Sequence, residues 1–408
     1  MTAITLHRPD VELAGTRAGD GPGVLLLHAG GERREVWRPI AETLARNGYR
    51  CTAYDLRGHG DSGADGADEL AAHAGDVAAM IAAEPIPPTV VGASLGGLAT
   101  LLALGNPDLA RRVSGVVLVD VVAELAPVRV RAFLDGVRDG YGDHPLVRDA
   151  LNQGPRLVAG AERLAGLPTL LVLAERSVLT EQDRRRFTDR VPHAGVASVP
   201  GTSHLVARDA PEQLTRLLLD HLSSPPVRRR RIDWLLEAGE VSDIPHPGGT
   251  LRAHLDRTAD TLEAWGAPAW LVDAGRLHAA HGTDGFPAGI PGLTSAAILA
   301  AAGAEAEQLV ALYGRCDRAR SYPTLHTDSP KIVDRHTSEG RHVPPDQVRA
   351  FAELTAANEL DVVRHSRSIA TGHGPALSRL FARWEPLLSR GAREEWSAMA
   401  RELSSSWA

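Results

Sequence analysis

The chain has 408 residues, of which 43% are hydrophobic and 23% charged. That is longer than one compact core usually holds, and it points to two cored domains rather than to disorder. The net charge is −7, and every basic residue but Lys331 is arginine, so bulk charge gives no reason to expect nucleic acid as a partner. Cys51 and Cys316 fall in different halves, which argues against a disulfide framework. Residues 1–15 lack the apolar core of a signal peptide, and no apolar run reaches about 18 residues. The expectation is therefore a cytoplasmic protein without a membrane span.

The first predicted strand is residues 24–27, an uninterrupted Val-Leu-Leu-Leu run. A helix-like stretch follows at 37–47, then strands at 49–55 and 89–92, a helix at 95–105, and strands at 115–120, 169–173 and 196–199. Fully apolar strands alternating with helices predict a mostly parallel sheet covered on both faces, an α/β architecture. Residues 121–166 break the alternation, carry helical patterning at 128–137, and read as a lid inserted between two strands. This first domain spans 1–222. Ser223-Ser224-Pro225-Pro226 signals a linker over 223–232, and the basic run Arg228 to Arg231 within it reads as a solvated linker or the start of a helix. Beyond it, Leu251, Leu255, Thr258, Leu262 and Trp265 recur at helical spacing, and 304–313, 345–365 and 376–388 are helix-like. Residues 233–408 are predicted to be all-α.

The chemistry of the first domain centres on Gly92-Ala93-Ser94-Leu95-Gly96-Gly97, placed between an apolar strand and an apolar helix. A serine on so tight a turn needs small neighbours, and the helix beyond it aims free N–H groups and a positive dipole end at developing negative charge. His28-Ala29-Gly30-Gly31 closes the first strand, so the amides of Gly30 and Leu95 are the candidate oxyanion donors. Gly201-Thr202-Ser203-His204 follows the last strand, where a histidine can take the proton of Ser94 and return it to a leaving group.

These motifs, together with Asp55-Leu56-Arg57-Gly58-His59-Gly60-Asp61-Ser62-Gly63, resemble the α/β-hydrolase superfamily, and specifically its small bacterial esterase-like serine hydrolases, over residues 8–222. The resemblance implies Ser94 as nucleophile and His204 as general base, with no cofactor. It also implies an acid just after the strand at 170–173, but Ser177 or Val178 stands there. Asp120, at the end of the preceding strand, is the expected substitute, with Glu175 as the alternative. Serine rather than aspartate at 94 argues against the epoxide-hydrolase and haloalkane branches.

The helical half is rich in histidine. His254, His278 and Asp361 follow the order of metal ligands in HD-domain proteins, and the segment 245–365 resembles an uncharacterised family of HD-like helical bundles. Ala279 replaces the aspartate of the HD doublet. At most one metal ion is therefore expected, held by His254, His278 and Asp361, with His281 or His365 as substitute ligands.

The leading expectation is a two-domain serine hydrolase that cleaves a small ester, thioester or lactone through an acyl-enzyme. Its partner is a small-molecule substrate. Two alternatives remain open at this point: metal-dependent phosphohydrolase or oxygenase chemistry in the helical domain, and a hydrolase scaffold reused for binding, cyclisation or elimination.

Overall fold

The computed structural model describes residues 1–124 and 126–405, in two compact units, Met1–Arg231 and Ile232–Ala408. The first unit is built on an eight-stranded sheet. Its strands are β1 (Thr2–His7), β2 (Glu12–Ala18), β3 (Gly23–Leu27), β4 (Arg50–Tyr54), β5 (Thr89–Ala93), β6 (Gly115–Val119), β7 (Thr169–Ala174) and β8 (Gly195–Val199). Their order across the sheet is β1-β2-β4-β3-β5-β6-β7-β8. β1 and β2 pair antiparallel and β2 meets β4 antiparallel, while β4 through β8 run parallel.

Side chains alternate across a strand, and here both sides are buried. Leu25 and Leu27 of β3 join a core with Val90, Leu98, Leu118 and Leu171, whereas Val24 and Leu26 join a second core with Trp37, Leu44, Val91, Val117 and Val172. The uninterrupted apolar runs in the sequence follow from this double burial. The covering helices include α1 (Arg38–Arg46), α2 (Leu70–Ala82), α3 (Leu95–Leu104), α4 (Pro107–Arg111), α8 (Glu181–Arg190), α9 (Val206–Asp209) and α10 (Pro211–Ser223). Between β6 and β7 the chain forms α5 (Pro127–Val137), α6 (Pro145–Asn152) and α7 (Gly154–Arg163), the helical insertion expected as a lid.

The segment expected to join the two domains is largely helical. Helix α11 runs Pro225–Ala238 and contains the boundary between the units. Pro225 and Pro226 open it, because a proline in the first helical turn gives up an N–H that has no intrahelical partner and brings a preset φ. The second unit consists of α12 (Leu251–Ala264), α13 (Ala269–Leu277), α14 (Ser295–Ala302), α15 (Ala304–Arg315), α16 (Arg318–Ser321), α17 (Pro345–His365), α18 (Arg367–Arg383) and α19 (Arg390–Ser405). It is not purely helical: Pro245–His246 pairs with Gly249–Thr250, and Lys331–Val333 with Gly340–His342, as two short antiparallel ribbons. These are too short for period-two alternation to register in the sequence. Among the described residues no helix is long and apolar enough to cross a membrane.

Candidate active site

Ser94 joins β5 to α3 with φ 44° and ψ −110°, a conformation that costs a non-glycine residue of order 1–3 kcal/mol and persists only where the surroundings impose it. Here they do. A Cβ on Gly92 would stand 2.7 Å from the backbone of Gly97, one on Gly96 would stand 2.7 Å from Leu27 O, and one on Gly97 would stand 2.4 Å from Val121 Cγ1. The Ser94 N–H donates to Val119 O at 3.2 Å and the Gly96 N–H to His28 O at 3.2 Å. The elbow is thereby fastened to the ends of β6 and β3. Leu95 opens α3, so its N–H has no intrahelical acceptor.

The loop after β3 is held by two imidazoles whose tautomers follow from their partners. His28 Nε2 accepts from the Leu56 N–H at 2.9 Å, so its proton is on Nδ1, which donates to Ala29 O at 2.8 Å. His59 Nε2 accepts from the Gly31 N–H at 3.1 Å and its Nδ1 donates to Arg57 O at 3.0 Å. Gly30 lies between these two anchored peptides. Burial, the largest influence on His28, pushes its pKa down to about 4 and keeps it neutral. The other residues of the long motif are also structural. Asp55 pairs with Arg34 and accepts from the Asp61 N–H, and buried Arg57 grips Asp76 with two bonds of 2.7 and 2.6 Å.

His204 sits on the loop after β8, and its Nδ1 donates to Asp120 Oδ2 at 2.8 Å. Asp120 follows β6 with φ 52°. Its other oxygen accepts from the Ala174 N–H at 3.0 Å and from the Ser177 hydroxyl at 2.6 Å. Glu175, the alternative acid, is placed differently: its carboxylate accepts from the Gly201 N–H and so steadies the loop that carries His204.

Ser94, His204, Asp120, Gly30 and Leu95 all line one cavity of about 200 Å³. Its walls are chiefly apolar, with Val130, Phe133, Leu134 and Val147 from the lid and Leu98 and Leu179 from beneath. The Phe133 ring packs edge-on against the His204 imidazole at 5.0 Å. Of the other charged side chains in the wall, Arg129 and Asp183 pair with one another at 2.7 Å, and Glu124 pairs with Arg190 at 3.6 Å.

In the second unit His254, His278 and Asp361 also come together. His254 Nδ1 donates to Asp361 Oδ2 at 2.7 Å, and Arg257 donates to both oxygens of the same carboxylate, at 2.6 and 3.0 Å. Burial pushes the Asp361 carboxyl up, but hydrogen bonds from His254 and Arg257 outweigh it and hold the pKa at about 2. His278 Nδ1 donates to Gly275 O at 2.8 Å, and its Nε2 lies 3.3 Å from His254 Nε2. Asp361 thus reaches His254 through Nδ1, away from the point where the two Nε2 atoms meet. Asn358, which the sequence reading passed over, supplies Oδ1 at that point, 3.0 Å from His254 Nε2. Of the expected substitutes, His365 sits against Asp361 itself, its Nδ1 3.1 Å from Oδ1, on the side away from the two Nε2 atoms, and His281 lies apart. Helix α13 ends at Leu277, so His281 leaves its face and approaches Ser295 Oγ at 3.4 Å, and His365 Nδ1 donates to Asp361 O at 2.8 Å. Among the described residues, no group of three or more His, Cys, Asp or Glu side chains is arranged to hold a metal ion.

Comparison with known proteins agrees with this division. Residues 235–318 match a family described as a domain of unknown function (DUF6817). The pimeloyl-[acyl-carrier protein] methyl ester esterase of Aliivibrio salmonicida (strain LFI1238) is 39% identical over 94 residues, which are 22% of this chain and 33% of that protein. Protein phosphatase methylesterase 1 of Bos taurus is 34% identical over 110 residues, 25% of this chain and 29% of that protein. The chain therefore spans about a third or less of the length of these two curated relatives. A solved structure of a thermophilic esterase from Thermogutta terrifontis, malate bound, aligns with TM-score 0.44 and 19% identity over 57% of this chain and 100% of that chain. Residues 22–191 match the family described as alpha/beta hydrolase fold, and the first unit, with its mostly parallel eight-stranded sheet covered by helices, has that fold.

Proposed function

We propose that the first unit is a serine hydrolase that cleaves a small ester, or a thioester or lactone of similar size, through an acyl-enzyme on Ser94. The observation that carries this reading is the Asp120–His204 hydrogen bond of 2.8 Å at a cavity that also contains the strained Ser94. Asp120 holds the imidazole proton on Nδ1, which leaves the Nε2 lone pair to accept the Ser94 proton as Oγ attacks the carbonyl carbon. The tetrahedral oxyanion then meets the N–H groups of Gly30 and Leu95. Collapse breaks the bond to the leaving alcohol, which takes the proton back from His204, and water deacylates the serine by the same path in reverse.

Cavity chemistry narrows the substrate. About 200 Å³ of mostly apolar space, with Arg129 already neutralised by Asp183, suits a short uncharged acyl group better than one ending in a carboxylate. The names of the two curated relatives favour ester cleavage. Free, buried Cys51 and Cys316 fit a reducing compartment such as the cytoplasm. The test is hydrolysis of p-nitrophenyl esters from acetyl to octanoyl by wild type and Ser94→Ala. The reading expects a preference for the shorter chains and loss of turnover in the variant; a fully active Ser94→Ala protein would overturn it, and a folded wild type without turnover would favour the reused-scaffold alternative.

A second reading concerns the helical unit, and one observation favours it. With both Nδ1 atoms donating, His254 and His278 bring their Nε2 atoms together beside Asn358 Oδ1, where a metal ion would take the place of a proton shared between them. The Nε2–Nε2 separation of 3.3 Å is close to one edge of a tetrahedral site with metal–nitrogen distances of about 2.0–2.1 Å. His254, His278 and Asn358 would hold a single zinc-like ion, with Asp361 and Gly275 O orienting the imidazoles from behind. Equilibrium dialysis against Zn²⁺ tests it: one equivalent should bind and be lost in His278→Gln, whereas no binding at micromolar Zn²⁺ would leave this cluster purely structural.

A further inference from the structure

Asp120 lies on a backbone in the left-handed region, φ 52°, and the last torsion of an aspartate is soft and broad. Something must therefore set the plane of its carboxylate if Oδ2 is to face His204. The Ala174 N–H donates to Oδ1 at 3.0 Å, and the Ser177 hydroxyl donates to the same oxygen at 2.6 Å. The direction of the serine bond is fixed, because Ser177 Oγ itself accepts from the Leu179 N–H at 3.0 Å, which leaves its proton for Asp120. A hydroxyl on a carboxylate at this distance is a strong, charge-assisted contact. Ser177 is also the residue that occupies the loop after β7, so its Oγ and the His204 imidazole bind opposite oxygens of one carboxylate.

We propose that Ser177 is a positioning residue for the acid: it pins Asp120 Oδ1 so that Oδ2 is presented to His204 Nδ1. The proposal rests on the serine-hydrolase reading of Ser94, His204 and Asp120, and it makes the acid a two-residue device spread over the ends of β6 and β7. Because Ser177 and His204 contact the same carboxylate, the proposal also expects a carboxylate moved to position 177 to replace Asp120 in part.

The test uses the full chain and three variants. Ser177 borders a second cleft, of about 450 Å³, from which water could substitute for a lost hydroxyl. Ser177→Val removes the donor while filling the space, and Ser177→Thr keeps the donor. The expected result for Ser177→Val is a fall in kcat of about tenfold with KM unchanged, together with loss of the exchange-protected His204 Nδ1–H signal in the ¹⁵N-histidine NMR spectrum. Ser177→Thr should restore both. Asp120→Ala/Ser177→Asp should turn over at least about tenfold faster than Asp120→Ala alone. An unchanged Nδ1–H signal and a kcat within twofold of wild type in Ser177→Val would overturn the proposal while leaving the hydrolase reading intact. Equal losses in Ser177→Val and Ser177→Thr would overturn it too, as would a relocated acid that recovers nothing. A wild-type protein with neither turnover nor a protected Nδ1–H signal would overturn both.

Discussion

Replacing Asp120 by asparagine perturbs the charge and hydrogen-bond sense of the site with almost no change of shape. In wild type the two carboxylate oxygens accept from three donors: the Ala174 N–H and Ser177 hydroxyl at Oδ1, and His204 Nδ1 at Oδ2. An amide offers one acceptor oxygen. Two donors compete for it on the Oδ1 side, so the oxygen stays there and the NH₂ group turns to His204. An NH₂ facing Nδ1 demands a lone pair on that nitrogen, which moves the imidazole proton to Nε2 and removes the base that Ser94 needs. The expected loss in kcat is about 10⁴, equivalent to about 5 kcal/mol of transition-state stabilisation. KM should hold, because Asp120 is 1% exposed and acts through His204. Steady-state hydrolysis of p-nitrophenyl acetate, with melting curves to confirm folding, measures this. A folded Asp120→Asn enzyme within tenfold of wild-type kcat would refute the tautomer argument.

Three other outcomes follow from the same geometry. Gly96→Ala drives a Cβ to 2.7 Å from Leu27 O, a clash with backbone that cannot rotate away, and should cost about 3 kcal/mol, visible as a lowered denaturation midpoint; an unchanged midpoint would show that β3 and the elbow can separate freely. His28 has a folded pKa pushed down to about 4 by burial, so between pH 6.5 and 4 the unfolded chain takes up a proton that the folded chain refuses. Stability from this residue is complete above about pH 6.5 and falls by about 3 kcal/mol as pH drops to 4; equal stability in urea at pH 7 and pH 4.5 would contradict it. Asp361→Asn in the second unit strips the counter-charge from Arg257, which is 29% exposed, and should destabilise that unit by about 2–3 kcal/mol, less than for a fully buried pair; differential scanning calorimetry would detect it, and an unshifted transition would refute it.

The parallel part of the sheet was legible in the sequence because double burial leaves uninterrupted apolar runs, as in Gly23–Leu27 and Gly115–Val119. The antiparallel pair Thr2–His7 and Glu12–Ala18 was not. Its strands are mostly exposed or half-buried, with Leu13 and Gly15 as isolated buried positions, and no apolar run stands out. The elbow that carries Ser94 could be read from its motif because steric demands fix Gly92, Gly96 and Gly97. Asp120 could be named only by noticing a missing acid elsewhere, since an aspartate after a strand has many uses. The contribution of Ser177 needs distances: nothing in Arg176-Ser177-Val178 signals that its hydroxyl meets a carboxylate 57 residues away. The boundary between the units falls inside the expected 223–232, but that stretch is helical, because the proline pair that breaks a helix interior also opens one. His281 was expected as a substitute ligand because helical periodicity carries on through the sequence where the helix has already stopped.

The most direct measurement of the central claim is covalent capture of the nucleophile. The intact protein is incubated with a fluorophosphonate, digested, and the modified peptide identified by mass spectrometry. Ser94 lies alone at the start of α3, beside the Leu95 amide and in one cavity with His204, so the account predicts a single phosphonyl adduct on Ser94. Labelling should be abolished in Ser94→Ala and slowed by orders of magnitude in Asp120→Asn. An adduct on any other serine, or a folded wild-type protein that takes up no probe at all, would contradict it.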